Sequence, residues 1–262
     1  MTRLARPAHR LRTAYVWTGF IVAAFALLGI FELTDIDMRL QHALFDDATR
    51  SFTWRGDATI EFWLHLKTRQ ALYLFPTAAL LGWLGCAMRA RRATVATHRR
   101  RLAGDARRWR YLLVAMLLAP AAVSLAKQAT NRPCPWDLAE FGGSSTRQHG
   151  LFQPAPSNER TLACFPAGHA SGGFSLFAVA LAGGIPGLRR VRVRTRTWCL
   201  AAAVIGLALG LTRVAQGAHF LSHVLWSAWL VLLIQWLLAR WMLRPRASLT
   251  SSAAHAAPAT PA

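Results

Sequence analysis

The sequence predicts an all-α polytopic membrane protein, a bundle of about six transmembrane helices with both termini in the cytoplasm. Three observations predict it. Hydrophobic residues make up 54% of the 262-residue chain, yet its formal net charge is +20, a pairing that a soluble domain does not reconcile. Several apolar runs approach about 20 residues, the length that crosses a bilayer's hydrocarbon. The charge is also gathered: 21 of 31 Lys and Arg lie in residues 1–13, 89–110, 188–198 and 240–246, where Asp105 is the only acid.

The remainder carries ten basic and ten acidic residues and is neutral. Positive charge confined to alternate connections is the positive-inside pattern. It sets aside nucleic acid, the usual partner of a chain with a pI near 11.7. The expected partner is a membrane.

The basic segment 1–13 is the expected cytoplasmic N-terminus. Ala14 to Phe31 forms the first span; its acidic flank and the lack of a small-residue cleavage site distinguish it from a signal peptide. Residues 32–68 mix Phe, Leu and Trp with acids, which fits either an interfacial segment or a connecting loop with a short helix. Gln70–Met88 and Tyr111–Leu125 are the second and third spans, the latter short and expected to extend into the following loop. Gly168–Leu188 is the fourth. The stretch from Trp198 to Leu243 is too long for one crossing, and Gln216-Gly217-Ala218 splits it into 198–215 and 219–240. The six-helix membrane domain thus occupies 14–246, and an Ala/Ser/Thr/Pro-rich tail, 247–262, is expected to be mobile.

Placing the basic segments inside puts residues 32–68, 126–167 and the 216–218 turn on the outer face of a cell inner (plasma) membrane. Ionisable residues near hydrocarbon are rare and usually functional. Lys127, His169, Arg213, His219 and His223 all fall on that outer side, although none was used to derive it. Alone, each has a plain structural explanation, a snorkelling cation or a hydrogen-bonded histidine. Five at one depth point to a site. His219 and His223, four apart, share a helix face, and a break at Gly217 would let Arg213 converge on them. In Phe165-Pro166-Ala167-Gly168-His169, proline and glycine suit a helix start whose N–H groups receive an anion. With Lys127 and Arg213 beside it, that anion is a phosphate.

Pro166-Ala167-Gly168-His169, followed by Thr212-Arg213-x5-His219-x3-His223, resembles the type-2 phosphatidic acid phosphatase superfamily of membrane lipid phosphatases. Its motifs read KxxxxxxRP, PSGH and SRxxxxxHxxxD, and the likeness runs from Lys127 to His223 within a core of about 111–240. The resemblance implies phosphate contacts from Lys127, Arg213 and the backbone at Gly168. It implies His169 as general acid and His219 as the nucleophile of a phosphohistidine intermediate, with no metal and no cofactor. Three departures stand out. The Arg-Pro pair comes two residues early, so Arg132 would reach phosphate from a shifted position. Ala167 replaces serine, with Ser171 a turn later as a substitute donor. His223 replaces the aspartate that orients the nucleophile, a role that Asp137 is the alternative to fill.

Cys134 and Cys164 lie in one outer loop, where an oxidising exterior permits a disulfide; two free thiols are the alternative, and a zinc site with the histidines is poorly spaced. The expected activity is hydrolysis of a lipid phosphate at the outer leaflet, or phosphoryl transfer to another lipid. Candidate substrates are a polyprenyl diphosphate, phosphatidic acid, phosphatidylglycerol phosphate or lipid A. A non-catalytic lipid-phosphate binder or transporter would explain the departures at Ala167 and His223. A haem protein using two histidines as axial ligands would leave Lys127 and Arg213 without a role.

Overall fold

Long apolar runs become long helices because the hydrocarbon offers no other partner for backbone polar groups. In the structure, a computed structural model describing residues 5–130, 132–145, 162–186 and 195–244, α1 spans Ala5–Glu32. A short α2, Ile36–Leu44, leads to a hairpin of β1 (Phe45–Asp46) and β2 (Ser51–Phe52), with Phe45 opposite Phe52. Next, α3 (Ala58–Ile60) runs through a π-helical stretch, Glu61–Lys67, into α4 (Thr68–Arg92). Asp57 starts this element by accepting the N–H groups of Thr59 and Ile60. The remaining helices are α5 (Ala96–Thr130), α6 (Gly168–Phe174), α7 (Phe177–Leu181), α8 (Thr195–Ala215) and α9 (Leu221–Met242). The expected tail 247–262 lies outside the described residues.

Five of the described helices are long and apolar enough to cross a membrane. The expected third span grows at both ends, since α5 reaches from Ala96 to Thr130. The expected fourth span, Gly168–Leu188, is corrected. It is a shorter apolar stretch, Gly168–Leu181, interrupted at Ser175 and Leu176 and closed by Gly183 and Gly184 at φ of 77° and 97°. Glycines at those angles stop a helix that hydropathy alone would continue. The break does not leave an orphaned carbonyl. Buried Gln235 of α9 donates to Ser175 O at 2.8 Å, and the Tyr111 hydroxyl of α5 donates to Gln235 O at 3.2 Å.

Small residues let the short helices seat deeply. A Cβ on Gly173 would lie 2.7 Å from Gly206 Cα, and one on Gly206 would lie 2.2 Å from the Phe174 ring. Close backbone approach of this kind is how helices pack in lipid. Gly206→Leu should therefore overpack the α6–α8 contact by about 3 kcal/mol, lowering the thermal midpoint in detergent by roughly 6–12 °C. A midpoint within a degree of wild type would mean that the two helices do not meet there.

The turn between α8 and α9 follows from Gly217, whose φ is 70°. Gly217 N–H bonds Val214 O at 3.0 Å and Ala218 N–H bonds Arg213 O at 2.9 Å, the paired closure of a Schellman motif. Phe52 of β2 packs on that glycine, where any Cβ would come within 2.2 Å of its ring. Phe52, Leu138, Phe141 and Phe220 form the apolar cluster under the hairpin.

Candidate active site

The expected site residues are carried to one end of the bundle by four different elements. Lys127 sits in the last turn of α5, His169 is the second residue of α6, and Arg213 lies in the last turn of α8. His219 follows the Gly217 turn and is buried, 3% exposed. Its imidazole lies within electrostatic reach of His223, Lys127, Arg213 and His169. Burial first, and those neighbours second, hold His219 well below the usual imidazole range, so its ring is neutral. Four of the five residues thus lie near enough to the fifth to act on its charge.

Lys127, Gly168 and His169 share a cavity of about 440 Å³ between α4, α5 and α6, floored by Leu72, Pro76 and Pro120. Ala167, which caps α6, supplies no side-chain acceptor to the first turn, and the space in front of Gly168 is open. The segment is clamped from behind. Ala167 N–H donates to His223 O at 3.2 Å, Ser227 Oγ donates to Ala167 O at 3.0 Å, and Thr130 Oγ1 donates to Phe165 O.

Arg213 is aimed by a surrounding cage. Its Nη1 donates to Gln216 Oε1 at 2.7 Å and to Glu61 Oε1 at 3.1 Å, and its guanidinium carbon lies 5.6 Å from the Trp136 ring centroid. Glu61 opens the π-helical stretch, a form of helix frequent at functional sites.

Cys134 and Cys164 form a disulfide. The sulfur of Cys164 lies 3.4 Å from His219 Nδ1. A disulfide sulfur carries no proton, so a hydrogen bond in that pair has the imidazole as its donor. In the tautomer with Nδ1–H facing Sγ, the lone pair is on Nε2, as a nucleophile needs. The two sulfurs and the His219 nitrogen lie within 4.8 Å of one another, so the poor spacing expected for a metal site is corrected. In the disulfide, however, neither sulfur is a thiolate ligand.

Two sequence expectations are corrected. His223 does not orient His219 by a hydrogen bond: its ring is 6.0 Å from that of His219, packs 5.2 Å from both Phe165 and Phe220, and hydrogen-bonds the Cys164 backbone. Asp137 Oδ2 accepts Cys134 N–H at 2.9 Å and closes the turn at Pro135–Asp137. Ser171 does not supply the donor missing at Ala167; its hydroxyl donates to Gly168 O at 2.6 Å. Arg132 is buried, receives Cys164 N–H on its carbonyl at 3.0 Å, and places its charge where His223 feels it. Its shifted position in the sequence is thus matched by a place on the His223 side.

The sequence pattern of the PAP2 superfamily matches residues 108–247, more than half of the chain. The chain belongs to the PAP2 superfamily. Every PAP2 motif position discussed above, from Lys127 to His223, lies inside the matched stretch. The chain is also similar to the lipid A 4'-phosphatase of Francisella tularensis subsp. novicida (strain U112), with 25% identity over 243 residues, 88% of this chain and 97% of that protein. The crystal structure of the first transmembrane PAP2 type phosphatidylglycerolphosphate phosphatase from Bacillus subtilis aligns over 79% of this chain and 92% of its own, at 17% identity and a TM-score of 0.33.

Three groups that touch this PAP2 core were missed in the sequence. They are Asp37 and Gln41 on α2, and Glu61 ahead of α4. Asp37 Oδ1 accepts Ser222 N–H at 3.0 Å, capping α9 where Phe220 has no side chain to do so. Burial raises the Asp37 carboxyl above its usual range, against the lowering effect of its bonds to Ser222. Gln41 Nε2 donates to His219 O at 3.2 Å. The available signal was an acid and an amide four apart on one face of a short helix.

Proposed function

We propose that this PAP2 protein is an integral membrane phosphatase that hydrolyses a lipid phosphate at the outer leaflet through a phosphohistidine on His219. The observation that carries the reading is the convergence of Lys127, Arg213, His169 and neutral His219 at one end of the bundle. In the first step His219 Nε2 attacks phosphorus and the P–O bond to the lipid breaks. His169 gives its proton to the departing oxygen. Water then attacks the phosphohistidine, the P–N bond breaks, and His169 takes the water's proton. Lys127, Arg213 and the N–H groups at Gly168 hold the equatorial oxygens as charge develops.

The near full-length similarity to a lipid A 4'-phosphatase favours a phosphate monoester on a lipid A-type sugar over the other candidates. The positive-inside charge pattern favours the outer side of an inner membrane for the site. The test is release of inorganic phosphate from detergent-dispersed lipid A, phosphatidic acid, phosphatidylglycerol phosphate and undecaprenyl diphosphate. Lipid A is expected to be turned over fastest, with inhibition by vanadate, a mimic of pentacovalent phosphorus. Ala167 and His223 favour a second reading, a lipid-phosphate binder that has lost turnover. Retention of lipid A with no phosphate release from any of the four lipids would select it.

A further inference from the structure

A cavity of about 1260 Å³ lies at the opposite end of the bundle from the site. Arg107 and Lys127 stand on one helix, α5, 20 residues apart, which is about 30 Å along its axis. Arg100, Arg107 and Arg110 line the cavity from α5, and Arg244 lines it from the end of α9. Their spacing, seven and then three, keeps all three α5 guanidiniums on one face. Among the described residues no acid lines the cavity, although Asp105 lies on the same helix. Arg107 Nη1 donates to Arg244 O at 3.0 Å, while its Nε is buried with no hydrogen-bond partner among the described residues.

Arg100, Arg110 and Arg244 are exposed and Arg107 is half-buried, and an anion joining the four relieves a mutual repulsion that solvent only screens. Their planar forks match phosphate. The walls say where that phosphate comes from. Trp83 of α4 and Trp241 of α9 flank the arginines, and Trp241 is 75% exposed. Trp241 is the second-last residue of membrane-length α9, where tryptophan marks the boundary between headgroup and hydrocarbon. The floor between the two tryptophans is alanine and glycine, leaving room for a chain or headgroup.

We infer that this cavity is a binding site for an anionic glycerophospholipid of the adjoining leaflet, held by its phosphate between Arg100, Arg107, Arg110 and Arg244. The lipid is a bound partner there, separate from any substrate. It closes the arginine cluster and ties α5 to the end of α9.

The full chain in detergent, incubated with phosphatidylglycerol or phosphatidylcholine, tests this by native mass spectrometry. Wild type should retain phosphatidylglycerol at least about fivefold more than phosphatidylcholine. Arg100→Gln/Arg110→Gln should fall to the phosphatidylcholine level, while Arg99→Gln/Arg101→Gln, which removes equal charge from the same helix outside the cavity, should retain the lipid. Ala103→Trp alters no charge and starts from an exposed lining position; by filling the space it should lose the lipid as well. Equal losses in the two arginine pairs would reduce the effect to diffuse surface charge and overturn the site. So would retention by both Ala103→Trp and Arg100→Gln/Arg110→Gln. Displacement of the lipid by an equal concentration of glycerol 1-phosphate would assign the cavity to a soluble phosphate compound and overturn the lipid.

Discussion

His219→Asn should lower phosphate release from lipid A by at least about 10³-fold, with the protein still folded and still retaining lipid. Removing a nucleophile that acts as one unit with its acid and anion clamp erases nearly the whole covalent route. A 10³-fold loss corresponds to about 4 kcal/mol of transition-state stabilisation. Because His219 is neutral in its buried setting, the variant does not strand a charge, and its thermal midpoint should move little. Quenching wild type with labelled lipid in acid-free buffer should trap phosphate on the protein; the variant should trap none. A variant that turns over within tenfold of wild type would remove His219 from the chemistry.

Cys134→Ser/Cys164→Ser should lower kcat by about 10- to 100-fold while changing KM much less. The disulfide does two things at once. It pins the loop between α5 and α6, and it presents the sulfur that faces His219 Nδ1 at 3.4 Å. Loss of the group that fixes an imidazole tautomer is severe when that group is a carboxylate; a sulfur is a weaker acceptor, hence the smaller expected fall. Reducing wild type with a phosphine should reproduce the loss, and the serine pair should be indifferent to the reductant. Full activity in reduced wild type would leave the disulfide as a loop staple only.

Much of this arrangement is legible in the chain because lipid imposes simple rules. Apolar length and basic connections give the long helices, and the Gln216–Ala218 turn is required once Trp198–Leu243 proves too long to cross once. Lys127, His169, Arg213 and His219 stand out because each is an ionisable group where hydropathy expects none. What is not legible is who partners whom. The interruption at Ser175 depends on Gln235 sixty residues on, and no local pattern announces it. His223 and Asp137 look like orienting groups from spacing alone, yet one is packed between two phenylalanines and the other closes its own turn. Asp37 meets Ser222 across 185 residues, a contact that only the fold creates.

That last contact has a practical edge. The stretch matching the superfamily begins at residue 108, yet the carboxylate seated on the start of α9, the amide beneath His219 and the acid steering Arg213 all arrive from upstream. A fragment cut to the matching stretch would keep every signature letter and lose the scaffolding that aims them. The first hundred residues are therefore part of the enzyme's working parts rather than a detachable anchor, and swapping them between relatives should alter turnover as well as membrane insertion.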